Sequence, residues 1–367
     1  MMAIKAFFTY VPYVVMLVAY VVFVRTCRLS ARGRAIWTMA LLACCSKFLC
    51  FGYLGGDAFN PDFPEKLMWF WNWAYSAAVI LTVLAVPAFR WRSRTKAWVL
   101  PLAACAVSAV GLWNGVKPPD VHPVELAYAD LPAELDGYRI AQLSDLHASP
   151  AARRWRTRAV VDRTNALGAD LICLTGDYVD GRPELLQGDL APLAGLKARD
   201  GVWAVTGNHE LFPTHCAWRS FYAHWGIRFL ANECVFPRKG LALGGVNDFR
   251  VRDPRTGVHH GDWPDVSRTF AAATNGEFRI LLQHQPRMAH ANIEGQGVNL
   301  QLSGHTHGGV MPGLRLIVRK HNGGFDRGLY EFPHGFLFVS SGCGQWAGFP
   351  MRFFTPSEIT LITLRRK

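Results

Sequence analysis

Ala6 to Val24 is a run of nineteen residues without a charged side chain, bounded by Lys5 and Arg25. At about 1.5 Å of rise per residue, such a run crosses a hydrocarbon core of about 30 Å as a helix. Lipid offers no partners to backbone N–H and C=O groups, so this part of the chain must pair them internally. The run is too long for the apolar region of a secretory signal, and further apolar segments follow it where polar mature sequence would be expected. Ala35 to Gly55 is interrupted only by Lys47, Leu67 to Phe89 is uncharged, and Trp98 to Trp113 is short but continuous. An all-α transmembrane region of about four helices is therefore expected over 1–114, with spans near 6–24, 35–55, 67–89 and 98–113.

Charge sorts these spans across the membrane. Arg25, Arg28, Arg32 and Arg34 follow the first, and Arg90, Arg92, Arg94 and Lys96 follow the third, while the loop between the second and third holds Asp57, Asp62, Glu65 and only Lys66. Basic loops stay cytoplasmic. Four spans then put both ends outside, giving a multi-pass cell-membrane protein whose downstream domain is extracytoplasmic. Lys47 lies inside a span and is expected to face the bundle or to snorkel. The net charge of +12 has the same origin: eleven basic and three acidic residues precede position 115, so the remainder is nearly balanced and unsuited to tracking a polyphosphate backbone. No nucleic-acid partner is expected.

None of the nine cysteines forms a CxxC pair, and five lie in or beside the apolar segments. Cys216 and Cys234 have two readings, a disulfide in an oxidising compartment or two buried thiols.

Residues 115–123, GVKPPDVHP, carry three prolines and form the expected linker to a second domain over 124–367. There the pattern changes to short runs rich in Ile, Leu and Val, each ending in a polar cluster: RIAQLSDLH, LICLTGDYVDG, GVWAVTGNHE, FRILLQHQP, VNLQLSGHTHGG and FLFVSSGCG. These are buried strands, with a helix near 152–167 between the first two, and an α/β fold follows. Strand ends are where such folds gather their chemistry. The clusters supply Asp145, His147, Asp177, Asn208, His284, His305 and His307. Buried carboxylates need compensating charge, which a pair of divalent cations supplies. Oxygen and imidazole donors without thiolate favour Mn, Fe or Zn over Ca or a structural zinc site.

SDLH, GDYVDG, GNHE, the isolated His284 and GHTHGG, in this order over about 138–366, resemble the calcineurin-like metallophosphoesterase superfamily. The closing QWAGFPMRFFTPSEITLITL and the GHTHGGV sequence further resemble its membrane-associated bacterial branch, the type found in transmembrane proteins with a metallophosphoesterase domain. The resemblance implies a four-layer α/β/β/α sandwich and hydrolysis of a phosphate ester or anhydride. It implies that Asp145, His147 and His307 hold one metal ion, that Asn208, His284 and His305 hold the other, and that Asp177 bridges them. His209 is then the implied acid for the departing oxygen, and an in-line attack of hydroxide on phosphorus needs no phosphoenzyme. Asp180 and Glu210 would orient ligands or merely shape turns.

The expected substrate is a phosphodiester or pyrophosphate, with a lipid-linked one suggested by the membrane region. GDYVDG and GNHE also resemble Ser/Thr protein phosphatases, in which an Arg stands one place before the position of Arg182. Arg182 has two readings, a phosphate contact or a surface residue. A pyrophosphatase acting on UDP-diacylglucosamine is a further alternative, although that reaction belongs to the cytoplasmic side. A membrane sensor whose metal domain only binds ligand is the non-enzymatic one. Trp346, Phe349, Phe353 and Phe354 follow a glycine-rich loop and either pack as core or line an apolar path for a lipid, with Trp346 and Phe349 as contacts. Arg153, Arg154, Arg156 and Arg158 are expected on a solvated helix face, with anionic lipid headgroups as the alternative partner.

Overall fold

The computed structural model describes residues 2–367 except 55, 57–60, 62, 212–214, 254–257, 260 and 275. Cys216 lies outside the residues whose side chains are described, as do Asp57 and Asp62 of the acidic loop. The chain forms two compact units. One comprises Met1–Val116, Ser149–Ala151 and Trp346–Arg352, and the other Lys117–Ala148, Ala152–Gln345 and Phe353–Lys367.

The first unit is built on helices α1 (Met2–Ala19, continued by a π-turn over Tyr20–Val24), α2 (Ala31–Cys45), α3 (Lys47–Tyr53), α4 (Glu65–Ala85) and α5 (Lys96–Val116). Two of them, α4 and α5, are long and apolar enough to cross a membrane. The expected second span is a pair, α2 and α3, bent by 54°. Ser46 sits at the bend and its hydroxyl bonds back to the Ala43 carbonyl at 2.7 Å, so the side chain competes with the helical ladder. The expected first span is helical throughout, α1 running on into the π-turn, and among the described residues Thr9–Val24 is its apolar helical stretch.

Lys47 faces the bundle interior. Fully buried, its Nζ donates to the Ala347 carbonyl at 2.5 Å and lies 4.9, 5.4 and 5.7 Å from the ring centres of Phe48, Phe51 and Tyr75. Lys96 is likewise buried and donates to Val22 O, Thr26 Oγ1 and Ala88 O. A desolvated ammonium must be met by carbonyls or π-faces, and both lysines are.

The second unit contains strands β1 (Asp120–Tyr128), β2 (Arg139–Leu143), β3 (Leu171–Leu174), β4 (Val202–Ala204), β5 (Arg228–Phe229), β6 (Glu233–Arg238), β7 (Leu241–Gly245), β8 (Arg252–Asp253), β9 (Val258–His259), β10 (Phe278–Leu282), β11 (Leu300–Ser303), β12 (Gly328–Phe332), β13 (Gly335–Val339) and β14 (Glu358–Arg366). Its helices are α6 (Arg154–Ala166), α7 (Pro183–Leu190), α8 (His215–His224), α9 (Val266–Thr269) and α10 (Pro312–His321). Two mixed sheets have the orders β1-β14-β2-β3-β4-β5 and β12-β13-β11-β10-β7-β6. All six apolar runs singled out in the sequence are strands of these sheets. Four residues of the linker, 120–123, are strand as well: Pro123 sits in β1, at a sheet edge where its missing N–H costs no ladder bond.

Alternation along the strands builds the layers. Ile140, Leu171 and Cys173 from one sheet pack with Leu241, Leu243, Ile280, Leu282, Leu300 and Leu302 from the other. The intervening residues Ala141, Ile172 and Leu174 face outward into a core shared with Val160 and Val161 of α6 and Leu186 of α7. On the far side Ala242 and Leu281 pack with Val266 of α9 and Ile293.

Candidate metal centre

β2, β3 and β4 are parallel neighbours, as are β10 and β11, so the polar clusters that follow them emerge at the carboxyl ends of adjacent strands. The loops are tied to one another through the backbone: Asp145 N–H donates to Gly176 O at 2.9 Å, His147 N–H to Asp177 O at 3.1 Å, and Gly304 N–H to His284 O at 2.9 Å. Two glycines permit this approach. A Cβ on Gly207 would collide with the Asp177 carboxylate, and one on Gly304 with Ser144 Oγ and the Asp145 carboxylate. Eight non-glycine residues have positive φ among the described residues, and five of them are Asp145, His147, Asp177, His305 and His307.

Two groups of side chains converge. In the first, Asp145 Oδ1 lies 3.5 Å from His307 Nε2 and 3.9 Å from His147 Nε2, and the two imidazole nitrogens are 3.0 Å apart. In the second, Asp177 Oδ2 lies 3.1 Å from His284 Nε2, and Asp177, His284 and His305 each point one donor atom to a common spot. The same Asp177 oxygen is 3.9 Å from both His147 Nε2 and His209 Nε2, so it stands between the groups. Asn208 is nine-tenths buried and its Oδ1 has no hydrogen-bond partner, nor does His305 Nδ1. Buried lone pairs left open beside buried carboxylates are what a cation site requires. The residues fit divalent-metal binding.

The electrostatics agree. Burial alone would lower the His209 and His284 imidazoles, but Asp177 beside both, with Asp180 at His209 and Asp145 at His284, raises them to about 9 and about 10. Burial pushes the Asp145 carboxyl up, whereas at Asp177 the neighbouring imidazoles outweigh burial and hold it well below the ordinary value. A field that draws protons onto imidazoles also attracts metal cations, and the two compete for the same nitrogens. His305 is driven the other way, to about 3, by burial and by His284.

Supporting side chains surround the groups. Asp180 Oδ1 accepts from His147 Nδ1 at 2.9 Å and from His209 Nδ1 at 2.6 Å, fixing both rings. Glu210 accepts three backbone N–H groups: Oε2 takes those of Asp177 and Gly207 at 2.9 and 2.7 Å, and Oε1 that of Tyr178 at 2.7 Å. Cys343 N–H and Gly344 N–H reach the carbonyls of Ser144 and Asp145, both at 2.7 Å.

Arg182 is exposed at the residue preceding α7. Trp346 and Phe349 form an edge-to-face pair with centroids 5.5 Å apart and belong to the helical unit. Arg156 is corrected: it is not on a solvated face but buried, its guanidinium donating to the Cys343 carbonyl and, at 3.5 Å, to that of Lys117. Its neighbours Arg153 and Arg158 pair with Asp189 and Asp162. No spacing signal distinguishes Arg156 from the other arginines of α6, because its carbonyl partners come from distant loops.

Residues 138–309 match the calcineurin-like phosphoesterase family model. A zebrafish protein described as a transmembrane protein with metallophosphoesterase domain is 34% identical over 73% of this chain, which spans 62% of that relative's length. Uncharacterized metallophosphoesterases of Aquifex aeolicus and Bacillus subtilis are 33% and 30% identical, over 62% and 72% of this chain and 85% and 93% of their own lengths. With these relatives matched over most of their lengths and the family's motif residues gathered at one set of strand ends, the chain belongs to the calcineurin-like phosphoesterase family.

Proposed function

We propose that the chain is a membrane-anchored hydrolase with two divalent ions, of Mn, Fe or Zn type, acting on a phosphodiester or phosphoanhydride. Asp145, His147 and His307 would hold one ion, and Asn208, His284 and His305 the other, with Asp177 shared. When bound, the ions would stabilise charge on the phosphoryl oxygens and lower the pKa of attacking water. The chain's own acid is His209. With Nδ1 turned to Asp180, its Nε2 is left toward the centre, 3.9 Å from Asp177 Oδ2, to deliver a proton to the leaving oxygen. The observation that carries this reading is Asp180, which orients one candidate ligand, His147, and the candidate acid through a single carboxylate oxygen. A site built only to bind a cation has no need for an oriented acid beside it.

The basic loops around Arg25–Arg34 and Arg90–Lys96 support an extracytoplasmic position for the hydrolase unit. The apolar helices support a lipid-linked substrate, for which exposed Arg182 is a candidate contact. The decisive experiment is hydrolysis of bis-p-nitrophenyl phosphate, p-nitrophenyl phosphate and a lipid pyrophosphate by the full chain with Mn, Zn or Mg, beside Asp177→Asn. Metal-dependent turnover abolished by the substitution is expected. Turnover that survives it, or two bound metals without turnover on any substrate, would move the reading to a ligand-binding module.

A further inference from the structure

Among the described large apolar side chains of the hydrolase unit, three are the most exposed: Phe354 at 82%, Leu316 at 74% and Ile317 at 57%, against at most 47% for the others. They are neighbours in the fold. Leu316 and Ile317 lie on α10, where Gly313, Leu316, Ile317 and Lys320 follow the i, i+3, i+4, i+7 spacing of one helical face, all exposed. Phe354 follows Phe353, whose N–H donates at 2.8 Å to the carbonyl of Val310, two residues before the helix. The helix has no acidic residue and ends in Arg319, Lys320 and His321.

The face is held firmly to the candidate metal centre. Arg315 pairs with Asp326, which also accepts from Tyr330 Oη at 2.6 Å, and the Asp326 carbonyl accepts from Thr306 Oγ1, between His305 and His307. A floppy segment would leave apolar groups in water at little consequence. A helix braced in this way keeps them there at a cost.

We propose that α10, with Phe354, is an interfacial helix that rests on an anionic lipid surface. The occupant follows from charge and chemistry: an apolar stripe flanked by cations and no carboxylate suits acyl chains beneath acidic headgroups. Three side chains and two or three cations make a weak site for a free protein. They suffice for one whose own apolar helices α4 and α5 keep it at a membrane, since tethering supplies a high effective concentration. The consequence is that the loop bearing His305 and His307 is presented at headgroup depth.

The test uses the full chain in nanodiscs of phosphatidylcholine with and without phosphatidylglycerol. A photo-crosslinking p-benzoylphenylalanine is placed at Leu316, and at exposed Leu185 as a control. The expected result is a lipid adduct at 316 but not at 185. It should increase with phosphatidylglycerol and fall about fivefold for each cation removed in Arg319→Gln and Lys320→Gln. Thermal unfolding of each variant verifies folding independently of any hydrolase activity. No lipid adduct at 316, an adduct equal in both bilayers, or a crosslink between two copies of the chain would overturn the proposal.

Discussion

Glu210→Gln isolates the hub that joins the GD and GN loops. The carboxylate has three backbone N–H donors around its two oxygens. Burial beside Asp177 raises this carboxyl to about 7, while the donors pull toward the ionised form that their geometry requires. Glutamine offers one acceptor oxygen. If that oxygen takes the two bonds from Asp177 and Gly207, the amide NH2 confronts the Tyr178 N–H, and one buried donor is left unpaired. The unmet donor costs about 1–3 kcal/mol, and two charge-assisted bonds weaken to neutral ones, so the loss totals about 2–4 kcal/mol. For a domain of this size each kcal/mol lowers Tm by about 2–4 °C, giving a fall of about 5–15 °C. Calorimetry of the purified chain measures it, and hydrolysis of bis-p-nitrophenyl phosphate should fall in parallel because Asp177 loses its support. A Tm within about 1 °C of the parent, with full turnover, would refute the hub.

Asp180→Asn should lower kcat by about 10²–10³ with little change in Tm, since it disorients His209 more than it disturbs the core; steady-state kinetics with metal content measured alongside decides, and kcat within twofold of the parent would remove Asp180 from the proposed mechanism. Stripping metal with a chelator should abolish turnover and lower stability by about 3 kcal/mol relative to protein held at a hundredfold excess over Kd, both restored by Mn or Zn; an unchanged melting curve would argue against a metal-stabilised centre. His122 is raised from its ordinary value near 6.5 by a hydrogen bond to Glu358 at 3.3 Å. A raised imidazole contributes stability below pH 6.5 that is lost as pH climbs through its folded value, so the parent's Tm should carry a small decline above pH 6.5 that Glu358→Gln removes. An identical slope in the variant would show that the pair contributes nothing.

The strands were legible because each is an apolar run stopped by a polar cluster, and the candidate ligands because nothing in a packed core asks for carboxylates and imidazoles at those stops. What the sequence concealed depends on partners far along the chain. Arg156 looks like any arginine of a polar helix until the Cys343 carbonyl arrives from a loop nearly two hundred positions away. Lys47 reads as a charge inside a span, and only the fold brings Phe51, Tyr75 and the Ala347 carbonyl to it. The bend at Ser46 turns on one hydroxyl's choice of acceptor. Pro123 suggested a spacer, yet an edge strand accommodates it because the bond it cannot make is never called for.

The positive φ at Asp145, His147, Asp177, His305 and His307 bears on how this centre should be probed. Left-handed backbone is tolerated by Asp, Asn and His and poorly by most other side chains. Alanine scanning at these five positions would therefore alter the path of the main chain along with the donor atom, and a dead variant would report neither cleanly. Asp→Asn at 145 and 177 keeps the backbone preference and removes only charge, whereas His→Asn at 147, 305 and 307 keeps the turn and shortens the reach. The loop geometry thus selects its own set of informative replacements.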